Sequence, residues 1–258
     1  AGQELQYVAI HHMWSLGGDD PDWDWRHYRR DAARTWDLLI NAYKPHEAKI
    51  ARACEQLAGS GVGLALTECH LSLPGRNRCE SLSSWAAGAA YARVLNGQAR
   101  HGDVLKIATA ADFCGTRWMV NAIMIPTPQG KRRCYMMPVA CVMALFRRHE
   151  GGHALDIEKT VPDLDITASR SGDRAYLHVV NTRREQDIAA LLHVAGHTIV
   201  GGRGFEIAAD PMQKVDEMQP DVFSPLERPL PPDGVWRFPA ASVTALELEL
   251  RPMDAVDG

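Results

Sequence analysis

From Gly61 to Leu66 the chain is small and aliphatic without alternation, and it then runs through Thr67 to Glu68, Cys69 and His70. That pattern predicts a strand buried on both faces, as in a parallel α/β sheet, ending on a carboxylate. Such strands present functional residues at their carboxyl ends, where the βα loops open. Leu5 to His12 reads as an earlier strand ending in two histidines. A loop at Gly17–Asp22 then leads into a helix, with Asp20 as N-cap and Pro21 at the first helical position, running to about Tyr43. Pro45 starts a second helix through Leu57, closed by Gly59. Beyond Glu68, helical patterning covers about 80–96 and 102–115. Val120–Ile125 is a further short strand ended by Pro126, and 138–149 is a helix stopped by Gly151-Gly152.

From about residue 153 the pattern changes to short alternating segments, such as Ala175–Asn181 and Ser242–Leu250, bounded by Gly, Pro and Asp turns. This is the signature of an antiparallel sandwich. A Pro-rich loop over 211–234 interrupts it and is expected to pack on a neighbour. The fold class expected is therefore α/β plus all-β, with an α/β portion over 1–150 and a β-sandwich over 151–258. Three parallel strands standing alone would expose long unpaired edges, so the first portion reads as part of a larger barrel or doubly wound sheet.

Composition narrows the function little. Of the 258 residues 46% are hydrophobic and 23% charged, with a net charge of -4. Nothing there argues for nucleic acid or a membrane surface, and no apolar run approaches the roughly 20 residues of a membrane helix. The six cysteines all lie before residue 142 with no C-x-x-C pair. They read as reduced thiols, and with no signal-peptide pattern at Ala1–Glu4 the expected location is cytoplasmic. The chain opens on Ala1 rather than methionine, so its first residue need not be the start of the gene product.

Several constellations invite chemistry. His149-Glu150-Gly151-Gly152-His153 matches H-E-x-x-H, which binds zinc when both histidines share one helix face. Two glycines cost roughly 2 kcal/mol of helix propensity and read better as a helix stop, so no metal site is expected. Of His11 and His12, only one can face a cleft, because side chains alternate along a strand. His70 follows Glu68 by two residues and suits a supporting partner. Cys69 beside a carboxylate lacks the positive surroundings of a nucleophilic thiol and reads as packing. Trp14, Trp23 and Trp25 suit either a sugar face or packing at a loop–helix join. The acids Asp19, Asp20, Asp22 and Asp24 suit a hard cation, but a helix start accounts for them more simply.

The order of these pieces resembles the C-terminal half of the glycoside hydrolase family 51 α-L-arabinofuranosidases. Leu66-Thr67-Glu68-Cys69-His70 fills the slot of the family's nucleophile motif, and Ala9-Ile10-His11-His12-Met13 is similar to its Ile-Ser-x-His-x-Tyr segment. Arg100–Ala108 and Val120-Asn121-Ala122-Ile123 resemble its Arg-x-x-Asp-x-Val-x-x-Ala helix and Val-Asn-x-Ile strand. Pro138 to His149-Glu150-Gly151, Val180-Asn181 and Phe238–Val243 match its later helix and sandwich in order. Two departures stand out: Cys69 and His70 replace the Trp and Asn that follow the nucleophile, and nothing before Glu68 matches the family's Asn-Glu acid/base motif.

The resemblance implies a partial (β/α)8 barrel, strands six to eight by analogy, followed by an antiparallel β-sandwich. It implies a retaining glycosidase of the α-L-arabinofuranosidase type, with Glu68 as nucleophile and His11, His12, Trp14, His70 and Asn121 binding an arabinose-containing oligosaccharide. No cofactor is implied. The acid/base carboxylate would come from an N-terminal barrel half or a second copy of the chain, so this chain by itself is not expected to hydrolyse efficiently. A reading from another class is a non-catalytic carbohydrate-binding or assembly module using the sandwich or the Trp14–Trp25 loop.

Overall fold

The buried run from Gly63 forms the middle strand of a three-stranded parallel sheet, where apolar residues on both faces are accommodated. The computed structural model describes residues 5–16, 25–73, 78–116, 122–125 and 133–253. The sheet consists of β1 (Tyr7–Ser15), β2 (Gly63–Ser72) and β3 (Leu105–Ala110), in that spatial order. Both predicted strands are longer than their apolar cores. β1 continues past His12 to Ser15 and β2 past Glu68 to Ser72, because ladder pairing from Tyr7↔Gly63 to Ser15↔Ser72 carries each one on.

One prediction fails outright. The helix expected over 102–115 is strand β3, paired in parallel with β2 from Leu64↔Leu105 to Cys69↔Ala110. Leu105-Lys106-Ile107-Ala108-Thr109-Ala110 suits either state locally, and the ladder offered by β2 decides between them. The strand expected over 120–125 is reduced among described residues to β5 (Ile123–Met124). It lies in a small separate sheet between β4 (Cys114–Gly115) and β6 (Tyr135–Met136).

The helices are α1 (Ala32–Ile40), α2 (Tyr43–Leu57), α3 (Arg78–Leu82), α4 (Trp85–Ala99) and α5 (Pro138–Arg148). The predicted Asp20 cap lies outside the described residues. After a 3-10 turn at Trp25–His27, α1 is capped by Asp31, whose side chain accepts from the Arg34 N–H at 2.9 Å. Pro45 sits in the first turn of α2, where a missing N–H costs no bond, and Gly59 follows α2 with φ +73°. α2 packs on β1 and β2, and α4 on β3.

The chain divides into two compact units, one of residues 1–142 with 210–223 and one of residues 143–209 with 224–258. The Pro-rich loop is thus shared between them. In the first unit its early part serves as a cap for α4: Trp85 and Ala86 donate their N–H groups to the carbonyls of Gln213 (2.8 Å) and Pro211 (2.9 Å).

The second unit is built on a six-stranded antiparallel sheet of order β12-β11-β14-β9-β8-β7. Its strands are β7 (His153–Leu155), β8 (Leu164–Ser171), β9 (Arg174–Asn181), β11 (His197–Ala208), β12 (Leu226–Pro229) and β14 (Ser242–Pro252). A two-stranded sheet of β10 (Ile188–Leu191) and β13 (Val235–Phe238) supplies Trp236 and Phe238 to a core with Leu164, Val179, Leu246 and Leu248. Gly204 makes room for that indole, since a Cβ there would lie 2.3 Å from Trp236 Cη2. Buried Asn181 ties the end of β9 to the turn before β14, donating to the Pro239 carbonyl at 2.8 Å. The whole is a mixed α/β protein with many strands and few helices. No helix among the described residues is long and apolar enough to cross a membrane.

Candidate active site

β2 carries an irregularity at the residue that the sequence singles out. Ile10 pairs with Leu66 and His11 with Glu68, which leaves Thr67 unmatched against β1. On the other side the β3 register also breaks between Leu66 and Cys69. One extra residue reverses the alternation of side chains beyond it. On β1, His12 and Trp14 turn toward α2, and so does Cys69, the ladder partner of His12. Glu68 and His11 therefore share the opposite face. There the His11 Nδ1 lies 3.1 Å from Glu68 Oε2, with side chains 62% and 39% exposed. A carboxylate left partly open to solvent and held by one imidazole can bind or attack an electrophilic centre.

His70 is buried, and its Nδ1 lies 3.6 Å from Asp112 Oδ2. Asp112 follows β3 and holds φ +52°, a left-handed conformation unusual outside glycine. The Ala111 N–H donates to the Cys69 carbonyl at 2.8 Å, extending the β2–β3 ladder up to Asp112. The later half of β2 and the segment after β3 thus present Glu68 and Asp112. Sequence reasoning missed Asp112 because it fell within the helix expected over 102–115, and no local motif marks it.

The remaining predicted site residues are placed as follows. Trp14 is buried and donates its indole N–H to the Ala42 carbonyl at 2.8 Å. His12 and His46 on α2 approach at 2.8 Å between Nδ1 atoms, and the two imidazoles stack with Trp14 at ring separations of 4.5–5.1 Å. The Gln98 amide nitrogen lies 3.1 Å from His46 Nε2 and 3.6 Å from Cys69 Sγ. With Gln98 donating to Nε2, neutral His46 carries its proton on Nδ1 and donates a hydrogen bond from it to His12 Nδ1. Burial, reinforced by His12 and Lys49, pushes His46 down to about 3, so that it is neutral at ordinary pH. Burial also pushes the Cys69 thiol up to about 12, which leaves it unreactive. Asn121, Trp23 and the four acids of the Asp19–Asp24 stretch lie outside the described residues.

The H-E-x-x-H stretch is split between the end of α5 and the start of β7. His149 follows α5 and its Nδ1 lies 2.8 Å from Glu247 Oε1, while His153 begins β7. Burial alone would raise the Glu247 carboxyl, but hydrogen bonds from His149 and Arg203 outweigh it and hold the group below the usual carboxylate range. Glu150 pairs with Arg147 instead. Among the described residues no group of three His, Cys, Asp or Glu side chains could hold a metal.

No family model matches the chain, and no curated protein matches its sequence. Its fold, however, is shared with known glycosidases. It is similar to the family 51 α-L-arabinofuranosidase of Thermotoga petrophila RKU-1, with a TM-score of 0.69 and 16% identity over 95% of this chain and 53% of that one. The family 51 arabinofuranosidase of Xanthomonas axonopodis pv. citri gives the same values. A family 44 xyloglucanase of Paenibacillus polymyxa follows, with a TM-score of 0.61 and 14% identity over 95% of this chain and 47% of that one. The chain therefore spans about half the length of these proteins, and in fold it matches a portion of the family 51 arabinofuranosidases.

Proposed function

We propose that the chain is the later part of a retaining glycoside hydrolase of α-L-arabinofuranosidase type, with Glu68 as nucleophile. The observation that carries this reading is the β2 bulge, which turns Glu68 onto the exposed face of a parallel sheet, in the later half of its strand and beside His11. Glu68 would attack the anomeric carbon and form a glycosyl-enzyme, with the His11 imidazole against Oε2 and Oε1 as the attacking oxygen. Asp112 is placed to accept a hydrogen bond from a sugar hydroxyl, steadied by His70.

A retaining enzyme also needs a second carboxyl group about 5–5.5 Å from the first, to protonate the leaving oxygen. That group comes from further barrel strands, supplied upstream or by another copy of the chain. Among the described residues β1 and β3 are edge strands, and Tyr7, Met13 and Ile107 on them are exposed, which suits a sheet awaiting further units. The substrate is an arabinose-containing oligosaccharide, and the second unit is the accompanying β-sandwich. A cytoplasmic location belongs to the same proposal, supported by the free thiols of Cys54, Cys69, Cys114, Cys134 and Cys141.

The test is a series of aryl α-L-arabinofuranosides of falling leaving-group pKa. Without an acid/base the chain should turn over only the most activated members, roughly 10²–10⁴-fold below a complete enzyme, and Glu68→Gln should remove that turnover. Hydrolysis unaffected by Glu68→Gln would overturn the reading. Oligosaccharide binding that survives Glu68→Ala, without any turnover, would point to a binding module.

A further inference from the structure

We infer that His46, with Gln98, is a positioning residue for Glu68: the polar network behind β2 selects the bulged register that turns the carboxylate outward. The inference rests on the proposed role of Glu68. Skipping the bulge would continue the alternation from Leu66, put Glu68 against α2 and turn Cys69 to the open face. The two registers compete for the same ladder partners on β1, and backbone pairing alone separates them little.

The side chains behind the sheet separate them strongly. In the bulged register the Cys69 Sγ meets His46 Nε2 at 3.7 Å and the Gln98 amide at 3.6 Å, and the same amide reaches His46 Nε2 at 3.1 Å. With its Nδ1–H, His46 donates a hydrogen bond to His12, which is the ladder partner of Cys69. His46 and Gln98 meet Cys69 Sγ only while Cys69 faces inward. In the slipped register a carboxylate would enter a site whose histidine is kept neutral by burial. An apolar residue at position 46 would fill the space with no hydrogen bonds to satisfy, so a buried histidine there is best explained by specifying one arrangement. Three elements converge on it: His12 from β1, Cys69 from β2 and Gln98 from α4.

Cysteine accessibility reads the register without reference to activity. Native protein is treated with iodoacetamide and the modified cysteines are located by peptide mass spectrometry. Cys114 and Cys134 are exposed and serve as internal standards, while Cys69 is buried. In folded His46→Leu and Gln98→Leu proteins, Cys69 should alkylate at least about 10-fold faster than in wild type under native conditions. On an activated aryl arabinofuranoside, kcat should fall roughly 100-fold with KM little changed, as expected when a reacting group is misaimed.

His46→Gln keeps a donor toward His12 and an acceptor toward Gln98, and should restore Cys69 protection and kcat together. Cys69 remaining as protected as in wild type, in either folded leucine variant, would overturn the inference. Gln98→Leu leaves the imidazole in place and decides the matter should His46→Leu not fold. Exposure of Cys69 as predicted, in a protein whose turnover is indifferent to Glu68→Gln, would remove the nucleophile and leave the register assignment standing.

Discussion

The His11 imidazole and the Glu68 carboxylate meet at 3.1 Å across adjacent parallel strands because an unmatched Thr67 brings Glu68, not its neighbour, level with His11. The contact is exposed, so its worth to stability is small. Its consequence is geometric: the imidazole sits against one oxygen of the carboxylate.

His11→Ala should therefore change thermal stability by less than about 0.5 kcal/mol. It should lower turnover of an activated aryl arabinofuranoside by roughly 10–100-fold through the loss of an aimed carboxylate. Steady-state kinetics with a thermal melt of the same sample checks both, and a large fall in melting temperature with unchanged kcat would refute the division of roles.

Replacing Glu68 by glycine should abolish hydrolysis, and added azide should restore consumption of an activated aryl arabinofuranoside by entering the vacated space as an external nucleophile. The product should be an arabinofuranosyl azide of inverted anomeric configuration, assigned by NMR. An azide of retained configuration would contradict the nucleophile assignment.

Gly151 and Gly152 should respond differently to alanine. A Cβ at Gly151 would lie 2.4 Å from the Arg170 carbonyl carbon, whereas at Gly152 the nearest atom is Ser171 Oγ at 3.7 Å. Gly151→Ala should cost about 1–3 kcal/mol or more in urea unfolding, and Gly152→Ala much less. Equal effects would mean that the pair only stops a helix.

Stability should fall with acid, and the sign follows from two histidines. Burial pushes His178 down to about 4, partly opposed by its hydrogen bond to the His149 carbonyl, and His46 sits at about 3. Below pH ~6.5 the unfolded chain takes up protons at these sites while the native one does not. Stability is therefore full above that pH and declines as the pH falls toward the folded values, by something on the order of 3 kcal/mol per group. The depressed Glu247 carboxyl acts in the same direction: its contribution is present above the unfolded carboxylate value and is lost as pH falls through the lower folded one. Urea midpoints between pH 7 and pH 4 measure the decline, and His178→Gln should flatten it in the second unit.

The residue pattern alone determined much of this protein. The apolar run into Glu68, the helix around Pro45, α5, and the alternating strands around Val180 and Ser242 are all legible, because each carries a local pattern of apolar and breaker residues that needs no partner to be read. The order of those segments also carried the likeness in fold to family 51 arabinofuranosidases. What only tertiary structure decided depends on partners distant in sequence. Leu105–Ala110 is a strand rather than a helix because β2 offers it a ladder. Asp112 reaches the carboxyl end of the sheet for the same reason. Thr67 becomes an extra residue only when β1 and β3 lie beside it, and that single offset sends Glu68 to one face and Cys69 to the other. A strand's sequence fixes that its side chains alternate; its neighbours fix which of them face outward.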